Sequence, residues 1–415
     1  MKAKNCKKGR IQTICLTFLL LTISSTKVVD ASFCAGLPQS ASEPKSPPRI
    51  NFPTTERLRE PSFLSADVSM DNSPLESKPE PLVRNFRKAA NLTRIYRCAN
   101  TDPLGTLFLD ENEADRITVS ELFDINTPEH ILLNNAGLIL DLRSDSERKE
   151  LLAQAWMTKA PGGNIETKFY DRDDRRREPS SIYTPEDSSK IFVYRIDVLS
   201  PKRLFEYMVQ TWITDPLQKA QYSFSAVFDT QKLHEMRMDV LNSKGIQGTY
   251  EAMLTTSGEE LLAALKSITE FLENNTSGDV IVHCVKGKDR TGLVIMLCQS
   301  VLGIDDAAIV ADYHKSESLL LKGEGSAAAI ASLQQMQTKG KLNKKFFSGS
   351  PEIAMISTLA FVREKHGSLH NYLDHIGFDA SWRKRFIATM DGSTTSTSRG
   401  IKSESTNMVP FQSKL

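Results

Sequence analysis

The sequence has few cysteines, no excess of charge of either sign and no long hydrophobic run. Lys and Arg number 52 and Asp and Glu number 51, so no global basic bias argues for a nucleic-acid partner. The cysteines form no CxxC pair and no metal-ligand spacing, which argues against a zinc site and a disulfide framework. An anionic ligand must therefore be attracted by a local cluster of cations. The six cysteines are Cys6, Cys15, Cys34, Cys98, Cys284 and Cys298.

The N-terminus has the three parts of a secretory signal peptide. Basic residues precede the apolar run 11–23, and small residues follow at Ala31 and Ser32. The run is shorter than the ~20 residues that a membrane-spanning helix needs. We therefore predict a signal peptide at residues 1–31 and no stable membrane span after its removal. The expected destination is the secretory pathway, the cell exterior, or another organelle reached through the ER.

The C-terminus carries a second, conflicting address. Residues 391–415 are rich in Ser and Thr and end in Ser413-Lys414-Leu415, a peroxisomal signal. An ER signal acts while the chain is being made, so we favour the secretory route and keep the peroxisome as the alternative. We predict that this tail is disordered.

Composition divides the rest of the chain into a linker and one domain. Residues 32–80 are dense in Pro, Ser and Glu, which predicts a disordered linker. Residues 81–390 alternate short β-branched runs with apolar helical patterns, which predicts an α/β domain with a mostly parallel sheet flanked by helices. The predicted strands are 95–97, 138–142, 191–198 and 279–283, and the predicted helices are 259–273, 292–302, 305–317, 351–366 and 369–375.

The segment 282–292 carries the chemistry. The β-branched run 279–283 ends at His283, a short loop with Gly287 in its middle follows, and an apolar helix begins near Arg290. A strand–loop–helix turn of this kind directs backbone N–H groups into one concavity at a helix N-terminus, which binds an anion. We predict a phosphate-binding loop. Its members are His283, Cys284, Val285, Lys286, Gly287 and Lys288.

Cys284 lies at the base of this loop. The thiolate is the reactive form of cysteine, and the amides, the helix N-terminus and Arg290 should favour it. The planar guanidinium of Arg290 can hold two phosphoryl oxygens. Thr291 can donate its hydroxyl hydrogen to the sulfur, and we expect His283 to orient the loop through a ring hydrogen bond.

Two aspartates are candidates for the general acid. Asp289 lies in the loop, and Asp141 ends the strand 138–142. A positioned acid accelerates departure of an alkoxide or phenoxide by ~10²–10⁴-fold. The alternative role for Asp141 is an ion pair with a loop cation through Asp141-Leu142-Arg143. The residues alone do not choose between them.

The two loop lysines bear on the substrate. Cations at Lys286 and Lys288 favour a multiply charged headgroup, whereas one phosphotyrosine needs only the arginine. The alternative is that Lys288 balances Asp289. Gly287-Lys288 is not a nucleotide-binding loop, because Asp289 stands where that motif needs Ser or Thr.

The segment His283–Gly292 resembles the HCx5R loop of protein tyrosine phosphatases. Its Gly-Lys-Asp-Arg-Thr-Gly ending is similar to that of a tyrosine/lipid phosphatase subgroup known from bacterial triple-specificity enzymes. The likeness covers residues 81–390, with three departures: Cys98 replaces a usual Ser, no Gly-Gly follows Asn85-Phe86-Arg87, and the segments 157–190 and 320–350 are enlarged. The other matching segments are 85–87, 96–97, 141–144, 147–148, 248–250, 312–313, Ser316, 367–368, 372–373 and Gly377.

The resemblance implies a phosphatase-like α/β fold with a C-terminal helical lid over the loop. It implies Cys284 as nucleophile, Arg290 as phosphate clamp and Thr291 as loop hydroxyl, in a two-step reaction through a phosphocysteine. No metal or organic cofactor is expected, and the expected substrates are phosphotyrosine proteins or phosphoinositides. Two alternatives stay open: a phospho-binding pseudophosphatase and a rhodanese-like sulfurtransferase. The oligomeric state is not indicated.

Overall fold

The computed structural model describes residues 81–104, 127–148, 165–170, 190–275, 277–321 and 340–391. The predicted signal peptide, linker and C-terminal tripeptide lie outside these residues, so the targeting hypotheses stay predictions. Within the described helices, none combines the length and apolar character needed to cross a membrane.

The described strands form one six-stranded sheet. Its order is β1-β2-β6-β3-β5-β4, and all neighbouring pairs are parallel except β1 with β2. The prediction of a mostly parallel sheet is therefore confirmed. The strands are β1 Arg87–Lys88, β2 Ile95–Cys98, β3 Ala136–Asp141, β4 Ile165–Phe169, β5 Ile191–Arg195 and β6 Asp279–His283.

Strand β6 lies between β2 and β3, which confirms the prediction of a central strand at 279–283. Its last residue, His283, is in register with Cys98 on one side and Asp141 on the other. Three parallel strands therefore end at the same level. Ligands of open parallel sheets bind outside these carboxyl ends.

Both faces of the central strands are buried, as expected for a parallel sheet. Side chains alternate along each strand. Leu138 and Val280 belong to the larger core beneath the main helices, whereas Ile139 and Ile281 belong to a smaller core on the opposite face. The sequences of the central strands are therefore continuous apolar runs.

The helices confirm the predicted α/β class. All five predicted helices are present, with ends that differ by a few residues. The described helices are α1 Pro128–Asn134, α2 Pro201–Tyr207, α3 Pro216–Phe228, α4 Thr230–Thr256, α5 Gly258–Asn274, α6 Asp289–Val301, α7 Asp306–Leu321, α8 Lys344–Phe347, α9 Glu352–His366, α10 Leu369–Ile376 and α11 Ala380–Met390. A π-helical turn at Met208–Trp212 follows α2, and a 3-10 turn spans Asp145–Glu147.

Helix α4 was not predicted, and its geometry gives the reason. Gly245 has non-helical dihedral angles (φ 62°, ψ −162°) and kinks the helix. Before the kink, Leu233 and Met236 pack in a separate cluster with α2 and α3. After the kink, Tyr250 and Met253 enter the main core. Because the buried face changes at Gly245, the sequence shows no single apolar stripe.

The C-terminal helices pack against the helical layer. Helix α9 contacts α4 and α7, α10 contacts α5 and α6, and α11 contacts α5 and α6. The segment before them reaches the loop after β6, because Lys288 donates hydrogen bonds to the carbonyls of Phe347 and Gly349. The lid function of the C-terminal helices stays a prediction.

Candidate active site

The turn between β6 and α6, residues 284–288, is named the cysteine loop here. It leaves the sheet where β2, β3 and β6 all end, and its neighbours are therefore the residues that follow Cys98 and Asp141. Two backbone hydrogen bonds fix this position. Leu142 N donates to His283 O (2.9 Å), and Asn100 N donates to Val285 O (3.0 Å).

Gly287 is the tightest point of the loop. Its φ is +66°, and a Cβ atom there would lie 2.0 Å from the carbonyl oxygen of Cys98. L residues rarely adopt this φ, and the backbone of β2 leaves no room for a side chain. The sequence therefore needs glycine at this position.

Polar side chains hold the loop carbonyls from outside. Asn85 Nδ2 donates to the carbonyls of Lys286 (2.9 Å) and Gly287 (3.0 Å). Arg97 Nη2 also donates to Gly287 O (2.9 Å), and its Nη1 binds Asp312 Oδ2 (2.7 Å). The C=O and N–H groups of a peptide point in opposite directions, so carbonyls held outside direct amides inward.

Cys284 is the first residue of the cysteine loop, directly after β6, and interacts electrostatically with Arg290 of α6. Its side chain is buried. Helix α6 begins at Asp289, and Gly292 N donates to Lys288 O (2.9 Å) as the first turn closes. The positive end of the helix dipole thus lies at the loop, where it favours an anion.

Glu147 and the carbonyl of Leu142 bind the Nη1 and Nη2 groups of Arg290. Nη1 donates to Glu147 Oε2 (2.6 Å) and to Leu142 O (3.2 Å), and Nη2 donates to Glu147 Oε1 (2.8 Å). A guanidinium has five N–H donors. The donors left without a described partner are Nε–H and the second Nη2–H, which are parallel. This free edge matches the spacing of two phosphoryl oxygens.

The charge of Arg290 is secured by the same contacts. Burial lowers the pKa of an arginine, but the hydrogen bonds and charge of Glu147 and the nearby Cys284 raise the pKa of Arg290 above its ordinary value. In return, hydrogen bonds from Arg290 and Ser144 outweigh burial and lower the pKa of Glu147. The clamp is therefore a stable cation oriented by a carboxylate.

Asp141 lies inside a buried ion network. Arg143 donates to it from Nε (2.8 Å) and Nη2 (2.9 Å), and Arg148 Nε donates at 3.0 Å. Asp102 binds the other edge of Arg143 at 2.8 and 3.0 Å. Burial would raise the pKa of Asp141, but the neighbouring cations outweigh it and hold that pKa well below its usual range. Asp141 therefore has an ion-pair role, as the alternative predicted, but its partners are Arg143 and Arg148 and not a cation of the cysteine loop.

His283 is a neutral ring in this environment. Burial, only partly offset by the charge of Asp141, lowers the pKa of His283 to about 4. Its Nε2 lies 3.9 Å from Asp141 Oδ1, which is too long for a hydrogen bond. The predicted role of the ring in orienting the loop stays a prediction.

Asp289 and Lys288 have different surroundings from those of Asp141. Asp289 Oδ1 accepts a hydrogen bond from the hydroxyl of Tyr250 (2.6 Å) and lies 3.4 Å from Lys288 Nζ. The side chain of Asp289 is partly exposed, whereas that of Lys288 is buried. Lys288 is thus not the exposed rim cation that the sequence suggested, because its ammonium is bound to backbone carbonyls and to Asp289. Lys286 and Val285 are exposed on the loop.

Thr291 lies at the start of α6, fully buried. Its hydroxyl oxygen has no hydrogen-bond partner among the residues that the structure describes. A buried hydroxyl without a partner is costly. Its proposed partner, the sulfur of Cys284, would relieve that cost when ionised.

Comparison with known proteins decides the family. Residues 119–390, more than half of the chain, match the description "Tyrosine phosphatase family". The chain belongs to the tyrosine phosphatase family. The resemblance inferred from His283–Gly292 is thereby confirmed at the family level.

The chain is also similar to the "Triple specificity protein phosphatase PtpB" of Mycobacterium tuberculosis. The two chains are 28% identical over 125 residues, which is 27% of this chain and 44% of the relative. The chain thus matches less than half the length of that curated relative.

Two site residues of this tyrosine phosphatase family member had no role assigned from the sequence. Glu147 and Tyr250 lie in segments that matched the phosphatase subgroup, but each contacts the first turn of α6 from a distant position in the chain. Asp102, which holds Arg143, gave no signal at all. Its place is set by the turn that follows β2.

The first prediction concerns Gly287. Gly287→Ala should destabilise the protein by about 3 kcal/mol or more, because the new methyl group overlaps the Cys98 carbonyl as well as requiring a left-handed residue. Gly303→Ala is the matched control, since Gly303 has φ +69° but no atom within 4 Å of a new Cβ. It should cost only about 1–2 kcal/mol. Chemical denaturation measures both, and equal losses would show that the close contact is unimportant.

The second prediction concerns acid stability. The pKa of His283 is about 4 in the folded protein and about 6.5 in an unfolded chain, so the unfolded state binds more protons between these values. Stability should therefore fall by roughly 3 kcal/mol as the pH drops from 6.5 to 4, at 1.36 kcal/mol per pKa unit. Asp141 adds a further loss at lower pH.

Denaturant titrations across this pH range provide the measurement. His283→Gln should flatten the slope, whereas His370→Gln, which changes an exposed histidine, should leave it as in the parent protein. A slope unaffected by His283→Gln would show that another group causes the acid sensitivity.

Proposed function

We propose that this protein is a cysteine-dependent phosphomonoesterase that acts through a phosphocysteine on Cys284. The observation that carries the proposal is the free edge of Arg290. Glu147 binds Nη1 and Nη2, and Nε–H and the second Nη2–H have no hydrogen-bond partner among the described residues, in an arginine that interacts electrostatically with Cys284. An amide-lined loop, a buried sulfur and an oriented arginine form a site for one tetrahedral anion.

The proposed reaction has two displacements. In the first, the Cys284 thiolate attacks phosphorus, the S–P bond forms, and the P–O bond to the leaving group breaks as that oxygen takes a proton from an acid. In the second, water attacks phosphorus and gives a proton to the same residue, now a base. The S–P bond breaks and the thiolate returns, stabilised by the hydroxyl of Thr291.

We assign the acid to Asp289 and a positioning role to Asp141. Asp289 is partly exposed at the loop and contacts one hydroxyl and one ammonium. Asp141 is buried and accepts from two arginines. A carboxylate held by two guanidinium groups gives up those contacts to carry a proton, so it is a poor donor.

The proposed substrates are phosphotyrosine proteins, with phosphoinositides as the second class. The family match and the printed name of the relative, a triple specificity protein phosphatase, support a protein substrate. The exposed Lys286 supports an additional anionic group on the substrate. Lys288 adds little to this second argument, since its ammonium is bound within the protein.

The rival functions differ in measurable ways. A pseudophosphatase would bind phosphopeptides without turnover, and a sulfurtransferase would use thiosulfate. A panel of phosphopeptides, phosphoinositides and thiosulfate, compared by kcat/KM with and without vanadate, separates them. Vanadate-sensitive hydrolysis supports the proposal, whereas thiosulfate turnover alone contradicts it.

The third prediction tests the nucleophile. Cys284→Ser should lower kcat by at least about 10³-fold, because a hydroxyl at this site is not ionised. The variant should still bind phosphopeptide, and vanadate should compete for the same site. Cys298→Ser is the matched control, since Cys298 is also buried but lies within α6, away from the loop. Trapping of ³²P on the parent protein, and not on Cys284→Ser, would identify the intermediate. Turnover by Cys284→Ser at the parent rate would remove this sulfur from the mechanism.

The fourth prediction separates the two aspartates. Asp289→Asn should lower kcat for a phosphate ester with a poor leaving group by ~10²–10⁴-fold, with little change for p-nitrophenyl phosphate. Asp141→Asn should instead reduce the free energy of unfolding by about 3–5 kcal/mol, because it leaves buried arginines unpaired. It should lower both substrates' rates alike. The reverse pattern would exchange the two roles.

A further inference from the structure

Tyr250 lies on α4, far from the cysteine loop in sequence, yet its hydroxyl touches Asp289, the first residue after that loop. The hydroxyl donates to Asp289 Oδ1 at 2.6 Å, and the tyrosine side chain is fully buried. The kink at Gly245 turns the second half of α4 into the main core. This change of direction is what brings Tyr250 to the start of α6.

A second buried tyrosine fixes the direction of this hydrogen bond. The hydroxyl of Tyr313, on α7, lies 2.9 Å from that of Tyr250, and the two rings meet edge to face. Since the hydrogen of Tyr250 goes to Asp289, the oxygen of Tyr250 accepts from Tyr313. Burial raises the pKa of both tyrosines, so both hydroxyls keep their protons.

The contacts of Asp289 are uneven between its two oxygens. Tyr250 and Lys288 both approach Oδ1, at 2.6 and 3.4 Å. Oδ2 has no hydrogen bond to any residue in the described part of the chain. One oxygen is thus held as an acceptor toward the interior, and the other is left for a partner outside the protein.

We propose that Tyr250 is a positioning residue that keeps Oδ1 of Asp289 as an acceptor and presents Oδ2 as the atom that carries the catalytic proton. The inference rests on the proposed function. In the first displacement Oδ2–H gives its proton to the leaving oxygen as the P–O bond breaks. In the second, Oδ2 takes a proton from the attacking water as the S–P bond breaks.

Other charged groups around Asp289 are unchanged by a substitution at Tyr250. Lys288 and Arg290 flank it in the chain, and the charge of Asp289 acts on both Arg290 and Tyr313. The charges of Arg97 and Glu317 also act on Tyr313. A change in pH dependence caused by Tyr250→Phe is therefore attributable to the lost hydroxyl.

The test compares Tyr250→Phe with Tyr313→Phe in the full chain. Both substitutions remove one buried hydroxyl, but only the first removes a donor to Asp289. For phenyl phosphate, a poor leaving group, Tyr250→Phe should lower kcat about tenfold. For p-nitrophenyl phosphate the loss should be much smaller. Tyr313→Phe should affect the two substrates equally.

The pH dependence of kcat distinguishes a positioning role for Tyr250 from a purely structural one, because loss of structure alone would not shift it. A lost donor to a carboxylate favours the protonated acid. The basic limb of kcat for Tyr250→Phe should therefore move to higher pH, while that of Tyr313→Phe stays in place. Equal profiles for the two variants, or a loss in Tyr250→Phe that is independent of the leaving group, would overturn the inference.

Two further measurements keep the outcome clear. Thermal unfolding shows whether Tyr250→Phe folds. If it does not, 3-fluorotyrosine at position 250 provides a hydroxyl of nearly the same size that donates a stronger hydrogen bond. The basic limb of kcat should then move to lower pH. An unmoved limb in that protein would contradict the inference. Failure of the proposed function looks different, because Cys284→Ser would then retain the parent rate with both substrates.

Discussion

The close approach of Gly287 to the carbonyl of Cys98 is the constraint on which the site depends. At 2.0 Å from a hypothetical Cβ, the two backbones leave no space for any side chain. Arg97 then connects Gly287 O to Asp312 on α7, which ties the loop to both the sheet and the helical layer. Cys284 and Arg290 lie three residues before and after Gly287 in the chain, so this contact restricts the backbone that joins them.

A network of buried charged side chains at the ends of β2 and β3 supports the same arrangement of the cysteine loop. Asp102, Asp141, Arg143 and Arg148 satisfy one another with hydrogen bonds of 2.8–3.0 Å. Such a network adds little net stability compared with an apolar core, because desolvation is costly. An arrangement that left one of these buried charges unpaired would lose far more stability, so the four side chains favour a single arrangement of the chain around them. It thereby fixes the turn that carries Glu147, and Glu147 fixes Arg290.

Local patterns predicted the parts of the site that are continuous in sequence. The strand at 279–283, the glycine of the loop and the apolar helix all lie within one short segment, and each has a period or residue type that identifies it. The pair Arg290–Glu147 and the contact of Tyr250 with Asp289 were not predictable in this way. They join residues 143 and 39 positions apart, and only the packing of α4 and of the turn after β3 brings them together.

Lys288 shows why a charge in a motif does not establish its role. In the sequence it stands beside Lys286 as a second candidate cation for the substrate, with a neighbouring Asp289 that it could balance instead. The segment 347–349 supplies carbonyl oxygens that bind the ammonium of Lys288, and burial follows.

The two aspartates also owe their roles to their surroundings, because identical side chains receive opposite roles from their partners. Guanidinium groups surround Asp141 and hold its charge, whereas a hydroxyl and one ammonium touch a single oxygen of Asp289. A residue that must exchange a proton needs one oxygen without a fixed donor. Of the two, only Asp289 has such an oxygen within the described structure, and the neutral tyrosine that holds its other oxygen supplies orientation without adding a charge that would oppose protonation.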